Sequence, residues 1–350
     1  MAYDPDALLT KLSQDYEFDT KTAFALGWCN VVQAQSRNMG HPVWIYYPLK
    51  EVWEDSNARK KLTAQFRGYD DLGMHECLPK ANEVLSGKEA AGAIALITSR
   101  FPEENLMSEE REGRGTSWTD NDNFGVPLKI GGLRGFIEAG SILHGFGIVH
   151  ASIGHETVSV SRVGNRPLVR FDLLSFGDPS AETPKSVPWF HAAFNAPETI
   201  GGGNPSKAGD VYSLAKFLIY FLVGPKKFMQ LFSALPEEVV WDDESAQRMF
   251  DHTLWGNLAH DSQDPTAEDI KSASGNELSL EIAELLRRAV TQDQSTRLKD
   301  AQVLYQGFES SMGQVSPIIP GPIPGPTPGP TSDSNSKILR LVGVAALIVA

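Results

Sequence analysis

The segment that most constrains this chain is Val211–Val223, VYSLAKFLIYFLV, which is apolar nearly all round and closes at Gly224. A helix apolar on every side is buried in a protein core or in a membrane. This one is too short for a bilayer, which takes about 20 residues, and it carries Lys216. It reads as the central helix of a core. Leu280–Val290 is amphipathic instead, with Ile282, Leu285, Leu286 and Ala289 on one side.

Earlier in the chain the pattern changes to strands. Ala23–Gln35 and Pro42–Leu49 are rich in β-branched and aromatic residues and are separated by a turn at Asn38-Met39-Gly40. Ala93–Thr98 is a short apolar run of strand length. Asn57–Tyr69 has helical spacing, with Leu62 and Phe66 four apart. Residues 103–127 are polar and read as a surface loop. Leu133, Phe136, Ile137 and Gly140 mark one face of a further helix, and Thr157–Ser161 with Leu168–Phe171 flank a Gly164-Asn165 hairpin turn. Strands come early and helices dominate later, which predicts an α+β protein with a β-rich first lobe and a helical second lobe.

Charge and cysteine content narrow the function classes. Against 31 Lys and Arg stand 44 Asp and Glu, a net charge of -13. Such a surface repels phosphate backbones, so nucleic acid is not an expected partner. The two cysteines, Cys29 and Cys77, form neither a disulfide framework nor a zinc motif. The N-terminus is acidic and carries no secretory signal.

The C-terminal end differs in kind. Pro317–Pro330 holds seven of the 22 prolines in a P-G-P rhythm, which favours extended geometry and packs no core. After a polar spacer comes KILRLVGVAALIVA, Lys337–Ala350. Leu341–Ala350 is uncharged, but ten helical residues reach only about 15 Å, half of a bilayer core. Two readings stand: the start of a transmembrane helix that continues past Ala350, or a short anchor or partner-binding helix. The first is preferred, because Lys337 and Arg340 just before the apolar run fit a cytoplasmic side.

In their order and spacing, several fragments between about residues 16 and 310 resemble the protein kinase family, in particular bacterial-type membrane-anchored Ser/Thr kinase domains. These are Leu143–Ser152, Ser175-Phe176-Gly177, Ala196-Pro197-Glu198, Gly209–Leu214 and Thr296-Arg297. The resemblance implies a bilobal kinase-like fold. It divides the chain into an N-terminal extension (1–15), an N-lobe (16–100), a C-lobe (101–312), a Pro/Gly-rich linker (313–336) and the start of a possible transmembrane helix (337–350). It also implies a scaffold: His150 opens the H-R-D motif, Phe176 and Gly177 end the D-F-G motif, and Ala196, Pro197 and Glu198 form A-P-E. Glu198 would pair with Arg297. Asp210 would hold the catalytic-loop backbone.

Against the same motifs the chemical positions are empty of charge. Phosphoryl transfer needs cradled phosphates, a lysine on them, Mg²⁺ held by carboxylate and amide, and a base. At the glycine-rich loop only Gly27 remains, beside Trp28 and Cys29. Tyr46 stands for the lysine, and Gln65 or Phe66 for its glutamate partner. Ser152 replaces the base, Gly154 the phosphate-contacting Lys, Thr157 the metal-binding Asn, and Ser175 the metal-binding Asp. Trp28 and Tyr46 are candidates to fill the cleft. The resemblance therefore implies a pseudokinase: not an enzyme, with no metal and no catalytic residue, ATP and Mg²⁺ not expected to bind well, and a protein partner bound at the cytoplasmic face of a membrane.

Two alternatives use the same cleft. In one, an atypical kinase or transferase relocates its charges to Lys50, on the same strand face as Tyr46, and to Asp172. In the other, Leu96–Ser99 binds a nucleotide through its backbone without catalysis. Other groupings are weaker. His150 and His155 do not have zinc spacing, and Ser152, His155 and Asp172 lack the elbow of a hydrolase triad. Gly201–Gly203 lacks the ending of a phosphate loop. Glu103-Glu104 and Asp242–Glu244 read as solvated acidic patches, and Thr327, Thr331 and Ser332 as accessible phosphorylation positions.

Overall fold

Asp4 starts the first helix, α1 (Pro5–Leu12). Its carboxylate accepts the N–H groups of Asp6 and Ala7 at 3.0 and 3.3 Å, and Pro5 sits in the first turn, where a missing N–H costs nothing. Leu8, Leu9 and Leu12 are buried against one face of a sheet. Within the expected N-terminal extension, α1 packs its three leucines on the sheet, because an apolar helix face needs cover. The structure is a computed structural model that describes residues 3–18, 20–101, 124–154, 157–177, 194–200, 204–232 and 264–312. Residues 1–314 form one compact unit.

The sheet is antiparallel. It contains β1 (Tyr16–Phe18), β2 (Phe24–Leu26), β3 (Cys29–Ser36), β4 (Pro42–Pro48), β5 (Ala81–Ser86) and β6 (Ile94–Ser99), in the order β1-β3-β4-β6-β5, with β2 also paired to β3. Strand alternation divides the side chains between two cores. Val43, Ile45 and Tyr47 of β4 join α1, while Trp44 and Tyr46 face the larger core. Two expectations are corrected here. Ala23–Gln35 is two strands, because Gly27 at φ 61° folds the chain so that Leu26 pairs with Cys29. Lys50 lies on no strand: β4 ends at Pro48 and Lys50 opens α2 (Lys50–Glu54).

Asp55 caps α3 (Ser56–Asp71) through the N–H groups of Asn57 and Ala58 at 2.7 and 2.9 Å. This helix buries Ala58, Leu62, Phe66 and Tyr69, one stripe at helical spacing. Then follow α4 (Val126–Gly145), the hairpin of β7 (Val158–Val163) and β8 (Arg166–Phe171), α5 (Pro197–Ile200), α6 (Lys207–Val223), α7 (Pro225–Phe232), α8 (Ala267–Ala273), α9 (Leu280–Ala289) and α10 (Ala301–Met312). In α6 every residue from Ala208 to Val223 is buried, as its composition requires. Phe136 of α4 stacks on Phe171 at 4.3 Å and meets Phe217 of α6 at 5.6 Å. Lys216 lies inside this helix with its ammonium 4.5 Å from the Phe232 ring centroid. Burial pulls its pKa down to about 7, against the opposing pull of the Asp264 charge.

The fold is α+β, with the sheet first and helices after it. No helix among the described residues is long and apolar enough to cross a membrane. The linker at 313–336, the apolar segment 337–350 and the tail Ser/Thr positions lie outside the described residues. So do most of the 103–127 segment, Gly201–Gly203, Asp242–Glu244 and His155.

Candidate functional site

Where the inner face of the sheet meets the helical part, three short segments are bonded into one plug. The first is the β2–β3 turn. The Trp28 N–H donates to the Phe176 carbonyl at 2.8 Å, and Gly27 bridges to Phe176. A Cβ on Gly27 would stand 2.5 Å from the Ser175 hydroxyl, so this approach needs glycine for space as well as for its φ. Gly177, at φ 143°, lies on the indole of Trp28, where an added Cβ would meet Cγ at 2.7 Å. Trp28 is 1% exposed.

The second segment is β4. Tyr46 is fully buried, and its hydroxyl accepts the Leu174 N–H at 3.1 Å. Burial is the main cause of the large upward shift of its pKa, so the phenol stays neutral. The third is α3. The Gln65 amide pairs with the Gly177 backbone in both directions: Nε2 donates to the Gly177 carbonyl and Oε1 accepts the Gly177 N–H, each at 2.9 Å. Nε2 also reaches the Gly147 carbonyl at 3.3 Å. Phe176 is enclosed edge-on by Tyr46, Phe66 and Tyr69, with centroids 5.4, 5.1 and 5.8 Å away. Such contacts contribute about 0.5–1.5 kcal/mol each beyond area burial.

Below the plug, Asp210 organises residues 150–151. Its carboxylate accepts the N–H groups of His150 at 2.5 Å and Ala151 at 2.7 Å. Ala151 is thereby held at φ 59°, a left-handed conformation unusual for a residue with a Cβ. His144 adds a third contact to Asp210 at 3.1 Å. The Ala301 N–H donates to Nδ1 of His144 at 3.0 Å, so Nε2 carries the proton toward Asp210. His150 sends Nε2 to the Leu173 carbonyl at 2.7 Å, and burial lowers its pKa.

Thr157 braces this loop from within. The Thr157 hydroxyl lies 2.7 Å from the Ser152 carbonyl and 3.2 Å from that of Gly154, and it accepts the Gly154 N–H at 3.1 Å. Ser152 is buried, and its hydroxyl has no hydrogen-bond partner among the described residues. Ser175 is also buried.

Asp172 and Lys50, the relocated charges of the alternative reading, do not come together. Asp172 is buried, accepts the Phe101 N–H at 3.2 Å, and lies 3.8 Å from Nε of Arg100. Lys50 is exposed and stands 4.0 Å from Glu54. Among the described residues no three His, Cys, Asp or Glu side chains gather as a metal-holding set.

Glu198 and Arg297 do meet, at 2.6 Å. The Arg297 side chain is fully buried. Besides Glu198 it donates to the carbonyls of Thr291, Ala208 and Gln292, which engages all of its nitrogens. It also covers the ring of Tyr212 at 4.7 Å. Ala196 is buried, and Pro197 opens α5.

Sequence reasoning missed two contributors. Gln65 registers there only as a lost acid, whereas here it is the clamp on Gly177. His144 lies within the Leu143–Ser152 fragment but is assigned no role there, and its place between Asp210 and Ala301 is visible only once α4, α6 and α10 are packed.

No protein-family model matches the chain, and no curated protein matches it.

Proposed function

We propose that this chain is a catalytically inactive kinase-like module, a pseudokinase, that works by binding a protein partner at the cytoplasmic face of a membrane. The observation that carries the reading is the plug. Where the resemblance calls for an open cavity lined by a lysine and a metal carboxylate, Tyr46 and Phe176 meet edge-on, the Trp28 indole is buried against Gly177, and the β2–β3 turn is hydrogen-bonded down onto Phe176. Magnesium triphosphate needs room, a cation and anionic oxygens. Buried aromatic rings supply none of these.

Further support comes from the contrast between neighbouring positions. Asp210 and the Glu198–Arg297 pair are fully bonded, as the scaffold of the resemblance requires. Ser152, Gly154, Thr157 and Ser175 offer no charge. A fold that keeps its internal braces and lacks its chemistry is suited to recognition. The membrane placement rests on the basic pair and apolar run of 337–350.

The test is a thermal-shift titration of the full chain with ATP, with and without Mg²⁺. No Mg²⁺-dependent shift is expected. A clear one, or label transferred from γ- or α-labelled ATP and lost in Asp172→Ala, would refute the reading.

A further inference from the structure

On the opposite side of α3 from Gln65 lies a groove of about 550 Å³, between this helix and the turn that joins β5 to β6. Arg59, Lys60, Thr63 and Arg67 line its helical wall, Ser86 lies opposite, and Trp53 stands at one end. The spacing i, i+1, i+4, i+8 puts these four on one helix face. Three cations and no carboxylate line the groove among the described residues, in a chain with 44 acidic residues. Arg59 is already positioned: it donates to the Trp53 carbonyl at 3.3 Å and lies 5.6 Å from that ring's centroid. Lys60 and Arg67 are exposed. None of the three has a carboxylate partner among the described residues. Like charges on one helix face repel, and a bound dianion relieves that repulsion.

We infer that this groove is a recognition site for a phosphorylated serine or threonine on a partner protein. A phosphate monoester carries about -1.5 to -2 charge with three acceptor oxygens. Guanidinium forks, an ammonium and the Thr63 and Ser86 hydroxyls match it. The peptide assignment follows from position: β5 is an edge strand of the sheet and Ser86 ends it, so an extended peptide can lie along that edge with its phosphate in the groove. A membrane is a poorer occupant, since the cations converge on a recess and none of the large exposed apolar side chains lines it. A nucleotide base is poorer too, because Trp53 already contacts Arg59 and Tyr3. This site is separate from the plugged cleft and does not depend on how nucleotide behaves there.

The experiment measures binding of the full chain to a degenerate phosphoserine and phosphothreonine peptide library. The comparisons are the same library unphosphorylated, inorganic phosphate, and mixed phosphatidylcholine–phosphatidylserine vesicles. Phosphorylated peptides are expected to bind at least about tenfold more tightly than unphosphorylated ones. Lys60→Ala and Arg67→Ala, both at exposed positions, are each expected to weaken that binding by about tenfold with an unchanged melting temperature. The inference is overturned by equal binding of the two libraries, by phosphopeptide binding that neither variant weakens, by inorganic phosphate binding as tightly as the peptides, or by vesicles as the only ligand that the variants lose.

Discussion

Gln65→Glu isolates the contact that ties α3 to the plug. In the wild type one amide satisfies both backbone groups of Gly177, at 2.9 Å each way. A carboxylate keeps the acceptor but has no donor. It leaves the Gly177 carbonyl unsatisfied and sets a charged oxygen beside it. Losing one hydrogen bond and stranding its half-buried partner costs about 1–3 kcal/mol, and we take about 2. For a unit of this size that is a drop of about 4 °C in Tm.

The cost must also depend on pH. A protonated carboxyl regains an O–H that can donate to the Gly177 carbonyl, so folding raises the pKa of the new side chain above its unfolded value of about 4.3. The neutral form is the compatible one. The deficit relative to wild type is therefore small below about pH 4 and grows as pH rises through the folded pKa. The assay is urea unfolding of wild type, Gln65→Glu and Gln65→Met at pH 4.5 and pH 7.5. Gln65→Met loses both bonds without gaining charge, so its deficit should not change with pH. A Gln65→Glu protein as stable as wild type at neutral pH, or with a deficit that ignores pH, would refute the amide clamp.

Other outcomes follow from the same geometry. Asp210→Ala removes the acceptor for two buried N–H groups and for His144, and should cost about 3–5 kcal/mol in denaturant unfolding; Asp210→Asn, which keeps one acceptor, should cost less. Ala151→Gly should raise stability by about 0.5–1 kcal/mol, since glycine adopts φ 59° without strain; a loss would mean that the residue is not left-handed. Lys216 has its pKa lowered from 10.5 to about 7. Between those values the unfolded chain holds a proton that the folded one lacks, so stability should climb as pH rises from about 7 to about 10, by on the order of 4 kcal/mol. In Lys216→Met that climb, followed by urea midpoints across the range, should vanish.

Much of the architecture is legible from side-chain patterns. The apolar run at 211–223 can only be a buried helix, and alternation in PVWIYYP sends Tyr46 to one face and Ile45 to the other. Leu62 and Phe66 announce the buried stripe of α3. Where the reading slips, the cause is local. Ala23–Gln35 is rich in strand formers on both sides of Gly27, and only the folded hairpin makes that left-handed glycine decisive. Lys50 looks like a continuation of β4, but the chain has already turned into α2. Asp172 reads as a free carboxylate until the arrival of Arg100 and Phe101 from the end of β6.

The amino-acid order alone determines which residues are apolar, where helices and strands can form, and that Tyr46, Ser152, Gly154, Thr157 and Ser175 bring no charge to their positions. Those are properties of composition and period, and they hold however the chain folds. The packing of Trp28, Tyr46 and Phe176 into a plug is decided only in three dimensions. So are the use of Gln65 as a clamp and the gathering, on the far face of α3, of three cations that have no carboxylate partner among the described residues. Each joins groups from separate elements, and hydrogen bonds and charge pairs act over a few ångströms of space, whatever the distance along the chain.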